Sequence, residues 1–281
     1  MDVHGITIAA LLGLAAAGLL ILRVSRLTAK QKKRLLRKSL SGVFTWFEQR
    51  GLLAVTPAFD HDYHAKFPKL KLLEERWQDV HDECLELLTL DEKLTDISKL
   101  GGAYTQDGIH VIQWKTFMLK SGKFLDRNCE RAPKTTALLR QIPGLYTAFF
   151  SILAPNQYIS PHWGYYKGFL RYHLGVIIPN NNANQECFLR VNSDPELNAR
   201  RSHEGVEGGE TYYWKNGEGI VFDDNYLHDA ANRSEEIRVV LWLDLRRPMP
   251  FYLQALNMAV LAIAHRDKSI KKIQKNTIIE A

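Results

Sequence analysis

The stretch from Ser160 to Pro179 constrains the fold most, because it places charged and titratable side chains on a strand that otherwise reads as buried. Residues 170–178 are rich in β-branched and aromatic residues, and a proline ends the run, which predicts a β-strand. Side chains alternate along a strand, so Arg171 and His173 share one face, while the opposite face is apolar. A buried guanidinium needs an anionic partner, or the fold loses stability. Either the chain or a ligand must supply that anion.

A second stretch offers the same combination of a histidine at a strand end and an arginine on a strand. Residues 217–232 begin with glycine and predict a strand that leads to His228. Residues 238–245 predict another strand, with Arg238 on its inward-looking face. Two neutral imidazoles from different strands can bind a first-row metal and leave coordination positions open. The two stretches together could therefore hold a metal.

Four motifs, taken in this order, resemble the aspartyl/asparaginyl β-hydroxylase family over roughly residues 114–248. They are Pro-His-x-Gly at 161–164, Leu-Arg-x-His-Leu-Gly at 170–175, Phe-Asp-Asp-x-x-x-His at 222–228 and Arg-x-x-Leu-x-x-Asp at 238–244. The resemblance implies a mainly β fold with flanking helices, built around a double-stranded β-helix (jelly-roll or cupin-like) domain. It also implies a dioxygenase that uses Fe(II), 2-oxoglutarate as cosubstrate and O2.

Carried over position by position, the resemblance makes His162 and His228 the two catalytic iron ligands. The residues that it implies for binding 2-oxoglutarate are Arg171, His173, Arg238 and, as the weaker match, Ser151. The usual non-haem iron triad has a carboxylate two residues after the first histidine. This chain has Gly164 there, which is the form expected for this family, with water in the third place.

Each of these assignments has a structural alternative. A lone histidine is more often a hydrogen-bonded core or surface residue than a metal ligand. Arg238 could pair with Asp223 or Asp244 instead of a ligand. Asp223 and Asp224 lie near the second histidine, and we interpret them as groups that support the site or form the turn, not as metal ligands. Two further residues could line the pocket or belong to the core: Trp114 and Trp163.

The beginning of the chain predicts a membrane anchor. Residues 5–22 carry no charged side chain, and these 18 residues just suffice for a bilayer core, which takes about 20. No basic region precedes them and no convincing cleavage site follows, so we predict an uncleaved transmembrane helix instead of a signal peptide. Eight basic residues follow between positions 23 and 38, and such residues stay cytoplasmic. We therefore expect a single-pass protein of the inner (cytoplasmic) membrane, with its catalytic domain facing the cytoplasm.

The net charge of +6 comes from this first segment. Residues 1–38 hold eight basic residues and one acid, or +7, so the remainder carries about −1. A nucleic-acid-binding protein spreads basic charge over its fold, so we expect no nucleic-acid partner. The basic segment instead suits anionic lipid headgroups, which attract each nearby basic residue by about 1 kcal/mol. Three scattered cysteines give neither a disulfide framework nor zinc spacing, which fits a reducing compartment.

We divide the chain into four parts: an anchor with its basic segment (1–38), a helical connection and flanking helices (39–110), the dioxygenase domain (111–248), and an apolar helix with a basic tail (249–281). Residues 180–212 are polar and predict a flexible loop. A substrate clamp is the functional alternative for this loop, with Arg190, Arg200, Arg201 and His203 as its basic residues. Residues 251–264 are apolar but shorter than a span of about 20 residues. They therefore form either a core-packing helix or one that lies in the membrane interface.

The substrate follows from the anchor and the resemblance together. A short anchor, a basic stretch and a cytoplasmic hydroxylase domain resemble the membrane-anchored branch that includes the lipid A 2-hydroxylase. This implies hydroxylation of an acyl chain of lipid A or a related membrane lipid. Two alternatives remain: β-hydroxylation of Asp or Asn in a protein or peptide, and an inactive membrane-tethered binding protein on the same fold.

Overall fold

The computed structural model of the protein describes residues 41–90, 94–100, 113–164, 166–200, 202–265 and 268–278. Its strands are β1 (Phe59–Asp60), β2 (Thr95–Asp96), β3 (Trp114–Ser121), β4 (Lys123–Phe124), β5 (Leu145–Leu153), β6 (Gln157–His162), β7 (Phe169–Ile177), β8 (Cys187–Asn192), β9 (Glu210–Tyr213), β10 (Gly219–Phe222), β11 (Leu227–Asn232) and β12 (Arg238–Arg246). Its α-helices are α1 (41–49), α2 (Tyr63–Lys66), α3 (Lys71–Glu75), α4 (Trp77–Leu88), α5 (Asp126–Cys129), α6 (Pro133–Leu139), α7 (Pro195–Arg200), α8 (Phe251–His265) and α9 (Lys268–Thr277).

The strands form two antiparallel sheets. The larger sheet has the order β1-β10-β7-β12-β5-β3-β2, with β4 beside β3, and the smaller has the order β6-β11-β8-β9. Residues of α3, α4 and α6 join the apolar cluster on one face of the larger sheet. The prediction of mainly β structure with flanking helices is confirmed.

Strand β12 shows how the two cores form. Leu241, Leu243 and Leu245 enter the core between the larger sheet and the helices. Val240 and Trp242 point the other way, into the core between the two sheets. A continuous apolar run is what a strand covered on both faces requires. The alternation places every second residue of β12 in the space between the sheets.

The prediction of a flexible loop at residues 180–212 is wrong. This segment contains β8, α7 and β9, and β8 pairs with both β11 and β9 in the smaller sheet. Cys187, Leu189 and Val191 alternate into the core between the sheets, which is the period of a half-buried strand. The Asn, Glu and Gly residues around this short run hide the pattern in the sequence.

The two ends of the chain differ in what the structure describes. The predicted anchor at 5–22 and the basic segment after it lie outside the described residues. Among helices in the described ranges, none combines the length and apolar character needed to cross a membrane. At the other end, α9 forms where a basic tail was predicted, and Gln274 Nε2 donates to the carbonyl oxygen of Ser121 at 2.6 Å. The apolar segment before it forms α8, which packs on the body of the protein through Leu253.

Candidate active site

The two predicted metal ligands lie side by side. His162 ends β6, and His228 lies near the start of β11. These strands pair antiparallel, and their register places the two histidines directly opposite each other. Their ring centroids are 4.1 Å apart. Two residues that are 66 positions apart in the sequence therefore meet because their strands are neighbours in the smaller sheet.

Both imidazoles have the tautomer and the charge that a metal ligand needs. Nδ1 of His162 lies 2.8 Å from the carbonyl oxygen of Ser160, and Nδ1 of His228 lies 2.8 Å from that of Tyr226. A carbonyl oxygen only accepts, so each Nδ1 carries the hydrogen and each Nε2 keeps its lone pair. Burial lowers the pKa of His162 to about 4 and the pKa of His228 well below its ordinary value. Both rings are therefore neutral near pH 7, as metal binding requires.

The histidine pair borders a cavity between the two sheets. Its empty volume, including the open mouth, is about 340 Å³. All six residues predicted for the site line it: Ser151, His162, Arg171, His173, His228 and Arg238. The structure therefore brings together every residue that the sequence assigned to the site. Trp114 also lines the cavity.

Arg238 carries a buried charge that has no carboxylate partner among the residues that the structure describes. The residue is 2% exposed, its Nε has no hydrogen-bond partner, and its guanidinium lies 4.6 Å from the ring centroid of Trp214. In the part of the chain that the structure describes, no carboxylate lies within ion-pair distance of it. The alternative of a pair with Asp223 or Asp244 is wrong, because both pair with other basic residues. Burial lowers the pKa of Arg238 to about 10, so the site is short of one anion.

Arg171 differs, because the protein supplies its anions. Its Nη1 lies 2.8 Å from Asp224 Oδ2 and its Nη2 lies 3.0 Å from Asp244 Oδ1. The guanidinium also lies 3.9 Å from the ring centroid of Trp242. These contacts fix its position at the cavity wall. Its predicted role toward 2-oxoglutarate stays a prediction.

Two further polar side chains face the cavity between aromatic rings. Both ring nitrogens of His173 are buried and have no hydrogen-bond partner in the described ranges. The ring centroid of His173 lies 5.1 Å from that of Phe222 and 5.3 Å from that of Trp242. Burial holds the pKa of His173 well below its ordinary value. Ser151 Oγ accepts from Trp114 Nε1 at 2.9 Å, and its own hydroxyl hydrogen can be donated. Each side chain can therefore donate one neutral hydrogen bond to a ligand.

The neighbourhood of Gly164 explains why this position carries no carboxylate. A Cβ added there would lie 2.1 Å from Cγ of Asp224, so a larger residue cannot fit without displacing Asp224. Asp224 thus occupies the space that the side chain at position 164 would take. Burial raises the pKa of Asp224 to about 7, and the guanidinium of Arg171 opposes that rise. Within the described ranges, no three or more His, Cys, Asp or Glu side chains converge as a metal site.

The sequence does not indicate the role of one residue that connects the neighbours of the two histidines. Asn198, on α7, accepts through Oδ1 from Trp163 Nε1 at 2.9 Å and from the backbone N–H of Leu227 at 2.8 Å. Trp163 follows His162, and Leu227 precedes His228. A single amide oxygen therefore links the residues next to both histidines. No local pattern signals this role, because Asn198 lies in the polar run that predicted a loop.

Arg190 belongs to the smaller sheet and not to a mobile clamp. Its guanidinium donates twice to the carboxylate of Asp229, at 3.1 and 2.6 Å. The hydroxyl of Tyr158 donates to the same carboxylate at 2.6 Å. Asp229 is 0% exposed, so this arrangement satisfies a buried charge next to His228.

Comparison with known proteins adds an independent finding. A family model described as aspartyl/asparaginyl beta-hydroxylase matches residues 74–248. The ornithine lipid ester-linked acyl 2-hydroxylase of Rhizobium tropici is 30% identical over 230 residues, which cover 79% of this chain and 73% of that protein. The aspartyl/asparaginyl beta-hydroxylase of Homo sapiens is 24% identical over 188 residues, 64% of this chain and 21% of that protein. A solved structure, the non-heme alpha ketoglutarate dependent carbocyclase SnoK from nogalamycin biosynthesis, is 12% identical, with a TM-score of 0.40 over 61% of this chain and 75% of that one.

Proposed function

The chain belongs to the aspartyl/asparaginyl beta-hydroxylase family, and from this premise we propose that it is an Fe(II)- and 2-oxoglutarate-dependent hydroxylase of a membrane-lipid acyl chain. Two observations together carry the proposal. Two neutral imidazoles have ring centroids 4.1 Å apart, and a buried guanidinium at the same cavity has no carboxylate partner within the described ranges. The first feature suits a divalent metal, and the second suits an anionic cosubstrate. The cavity between two antiparallel sheets supports the double-stranded β-helix that the resemblance implies.

The residues present fit both groups. His162 and His228 would hold iron through Nε2, because their Nδ1 atoms are already used by backbone carbonyls. Arg238 would hold the distal carboxylate of 2-oxoglutarate, since a planar guanidinium pairs with a carboxylate through two parallel hydrogen bonds. When bound, iron with 2-oxoglutarate and O2 supplies an oxidant that hydroxylates an unactivated C–H bond and yields succinate and CO2.

The protein's own part is orientation and exclusion of water. Arg171 is held by two carboxylates and by Trp242, so its guanidinium keeps a fixed position at the cavity wall. His173 and Ser151 can each donate a hydrogen bond to an anionic cosubstrate. The tryptophan and phenylalanine rings of the wall keep the remaining surface apolar. Electrostatic interactions in such a cavity are stronger than in water.

A lipid substrate is supported by a relative that this chain matches over most of its length. The Rhizobium tropici relative, named for an acyl 2-hydroxylation of ornithine lipid, matches across 73% of its length. The human aspartyl/asparaginyl beta-hydroxylase matches across 21% of its own. We therefore place an acyl chain of lipid A, ornithine lipid or a related lipid first, with Asp or Asn of a protein as the alternative. The proposed anchor at residues 5–22 would keep the enzyme on the cytoplasmic face of the inner membrane.

Mass spectrometry of lipid extracts tests the substrate class. Cells that produce the wild-type chain should contain an acylated lipid that has gained the mass of one oxygen atom. Cells that produce Arg238→Met should lack that lipid, while Arg190→Met is the matched control that leaves the cavity arginine in place. Tandem fragmentation should place the oxygen on an acyl chain. A gain on no lipid, with oxygen on Asp or Asn of a protein instead, would replace the lipid proposal by its alternative.

A further inference from the structure

The face of helix α8 that points away from the protein carries apolar side chains. It packs on the body of the protein through the buried residues Leu253 and Asn257. Of its side chains at 251–262, whose exposure the structure describes, the exposed ones are all apolar or aromatic: Phe251, Tyr252, Ala255, Leu256, Met258, Ala259 and Ala262. A helix at a water-facing surface normally shows the opposite pattern, with polar side chains outside. The outer face of α8 therefore matches apolar surroundings and not water.

Asn257, a buried polar residue of this helix, bonds to the body of the protein. Asn257 Nδ2 donates to the carbonyl oxygen of Gly168 at 2.9 Å, and its Oδ1 accepts from the hydroxyl of Tyr166 at 2.9 Å. Because these bonds are buried, they fix the rotation of α8 about its axis. The apolar face cannot turn inward without breaking them.

Helix α1 extends the same surface. Trp46 is 45% exposed, and its ring centroid lies 5.0 Å from that of Phe47, which lies 6.0 Å from that of Tyr252 on α8. Phe251, 85% exposed, continues the row of rings at 5.5 Å from Tyr252. We call the following six residues the aromatic surface: Trp46, Phe47, Phe251, Tyr252, Leu256 and Met258. Contiguous exposed apolar area of this kind marks an interaction site.

The charges around the aromatic surface favour an anionic neighbour. Among the described side chains of α1 and α8, Glu48 is the one carboxylate. It is buried and pairs with Lys167 at 2.9 Å and with Arg247 at 2.5 Å. Arg50 is exposed, and its guanidinium lies 3.7 Å from the ring centroid of Trp46. Tryptophan and tyrosine beside a basic residue are typical of side chains at the level of lipid headgroups.

The chain that precedes the described residues meets the structure at this surface. Residues 1–40 lie outside the described part and join it at Ser41, the first described residue of α1. They include the uncharged run 5–22 and the eight basic residues at 23–38. Covalent continuity therefore keeps the aromatic surface within one short helix of a strongly basic segment, which anionic lipids attract.

We propose that the aromatic surface docks on a phospholipid bilayer with anionic headgroups. This docking rests on the proposed function, because it brings the site to a lipid substrate. Its test, however, does not depend on hydroxylation. Tyr166 follows His162 by four residues, and it connects the surface to the site. Its ring centroid lies 6.0 Å from that of Phe44 on α1, and its hydroxyl reaches Asn257 on α8. Docking through α1 and α8 thus holds the histidine pair at a fixed position relative to the lipid.

A depth-resolved quenching experiment on the full chain tests the docking. The chain is reconstituted into vesicles of phosphatidylcholine and phosphatidylglycerol, with a fluorophore on Met258→Cys. The matched control is Leu85→Cys on α4, where the native leucine is 47% exposed and the methionine 51%. The native cysteines are buried and resist labelling. An interfacial helix sinks about 5–10 Å into the headgroup region, so doxyl groups near the top of the acyl chains should quench the label at 258 and leave the label at 85 unchanged.

If something other than lipid covers the aromatic surface, the quenching experiment gives a different result, and each such result overturns the proposal. A second copy of the chain would shield the label at 258 from doxyl lipid and give a dimer by cross-linking. Coverage by residues 5–22 would shield the label in detergent and in vesicles alike. A second variant, Leu256→Glu, changes an exposed residue and should abolish the quenching. Substrate-independent 2-oxoglutarate consumption should stay unchanged in that variant. A protein substrate would refute the lipid-hydroxylase proposal while leaving the quenching at 258 in place, so the two failures are distinguishable.

Discussion

Replacement of Arg238 by Met should have two effects of opposite sign. The guanidinium is buried, and within the described ranges no carboxylate pairs with it. In the proposed function 2-oxoglutarate would supply its partner, and without that ligand the charge stays unpaired among the described residues. Arg238→Met should therefore weaken binding of the cosubstrate and leave the free protein as stable as the wild type, or more stable.

The magnitudes follow from the free-energy cost of leaving a buried charge without its partner. Loss of one member of a buried, hydrogen-bonded charge pair costs about 2–5 kcal/mol. This corresponds to a Kd for 2-oxoglutarate that is roughly 30-fold to 5000-fold higher. In the free protein, replacement of buried charges by apolar side chains of similar volume is often neutral or stabilising by about 1–4 kcal/mol. The thermal midpoint of the ligand-free variant should thus not fall.

Thermal unfolding with and without 2-oxoglutarate measures both effects. A ligand present at 100 times its Kd stabilises the folded protein by about 2.7 kcal/mol. At the same concentration the variant should be stabilised by at most about 0.9 kcal/mol, the value for a roughly 30-fold higher Kd, and calorimetric titration should give the raised Kd. The matched control is Arg190→Met, which should lower stability because it leaves the buried Asp229 without its arginine, and should preserve affinity for 2-oxoglutarate.

The reverse pattern would refute this reasoning. If Arg238→Met strongly destabilises the ligand-free protein and leaves the Kd of 2-oxoglutarate unchanged, Arg238 is a structural residue. The cosubstrate carboxylate would then bind elsewhere.

The remaining predictions concern the histidine pair and its supports. His162→Ala or His228→Ala should abolish iron-dependent succinate formation, and unchanged turnover would contradict the ligand assignment. Burial holds the pKa of His162 at about 4 in the folded state, so between about pH 4 and 6.5 the unfolded chain binds more protons. This residue's contribution to stability should fall by about 1.4 kcal/mol per pH unit on acidification. Urea unfolding of the metal-free His162→Gln variant should show a slope with pH that is smaller by that amount, and equal slopes would contradict it. Gly164→Ala must displace Asp224 and should cost about 1–3 kcal/mol; an unchanged thermal midpoint would mean that the loop has room. Asn198→Ala leaves two donors unsatisfied at about 1–3 kcal/mol and should weaken metal binding, whereas Asn198→Asp keeps the acceptor and should retain it.

Local alternation in the sequence was enough to place several site residues on the correct strand face. Along β7, period two separates Arg171 and His173, which line the cavity, from Tyr172 and Leu174, which enter the core on the other side. This works because strand geometry fixes side-chain direction residue by residue. The four motifs add His162 to the predicted site, and its role as a ligand remains a prediction.

Pairings between distant strands were beyond the sequence. From the sequence, Asp244 is a possible partner of Arg238, but the register between β12 and β7 places Asp244 opposite Arg171. The contact between Asp224 and Gly164 and the strand at Cys187–Asn192 were equally hidden. Strand register is set by the packing of whole sheets, and no local pattern reports it.

The amino-acid sequence by itself indicated several strands, because their periodicity is local, and its motifs, through their resemblance to a known family, indicated the mainly β architecture and the polar residues that face the cavity. Tertiary structure alone decided that Arg171 is neutralised and that Arg238 has no carboxylate partner among the described residues, since the partners of a buried charge come from distant parts of the chain. It also decided that the apolar face of α8 points outward, because buried hydrogen bonds of Asn257 set its rotation.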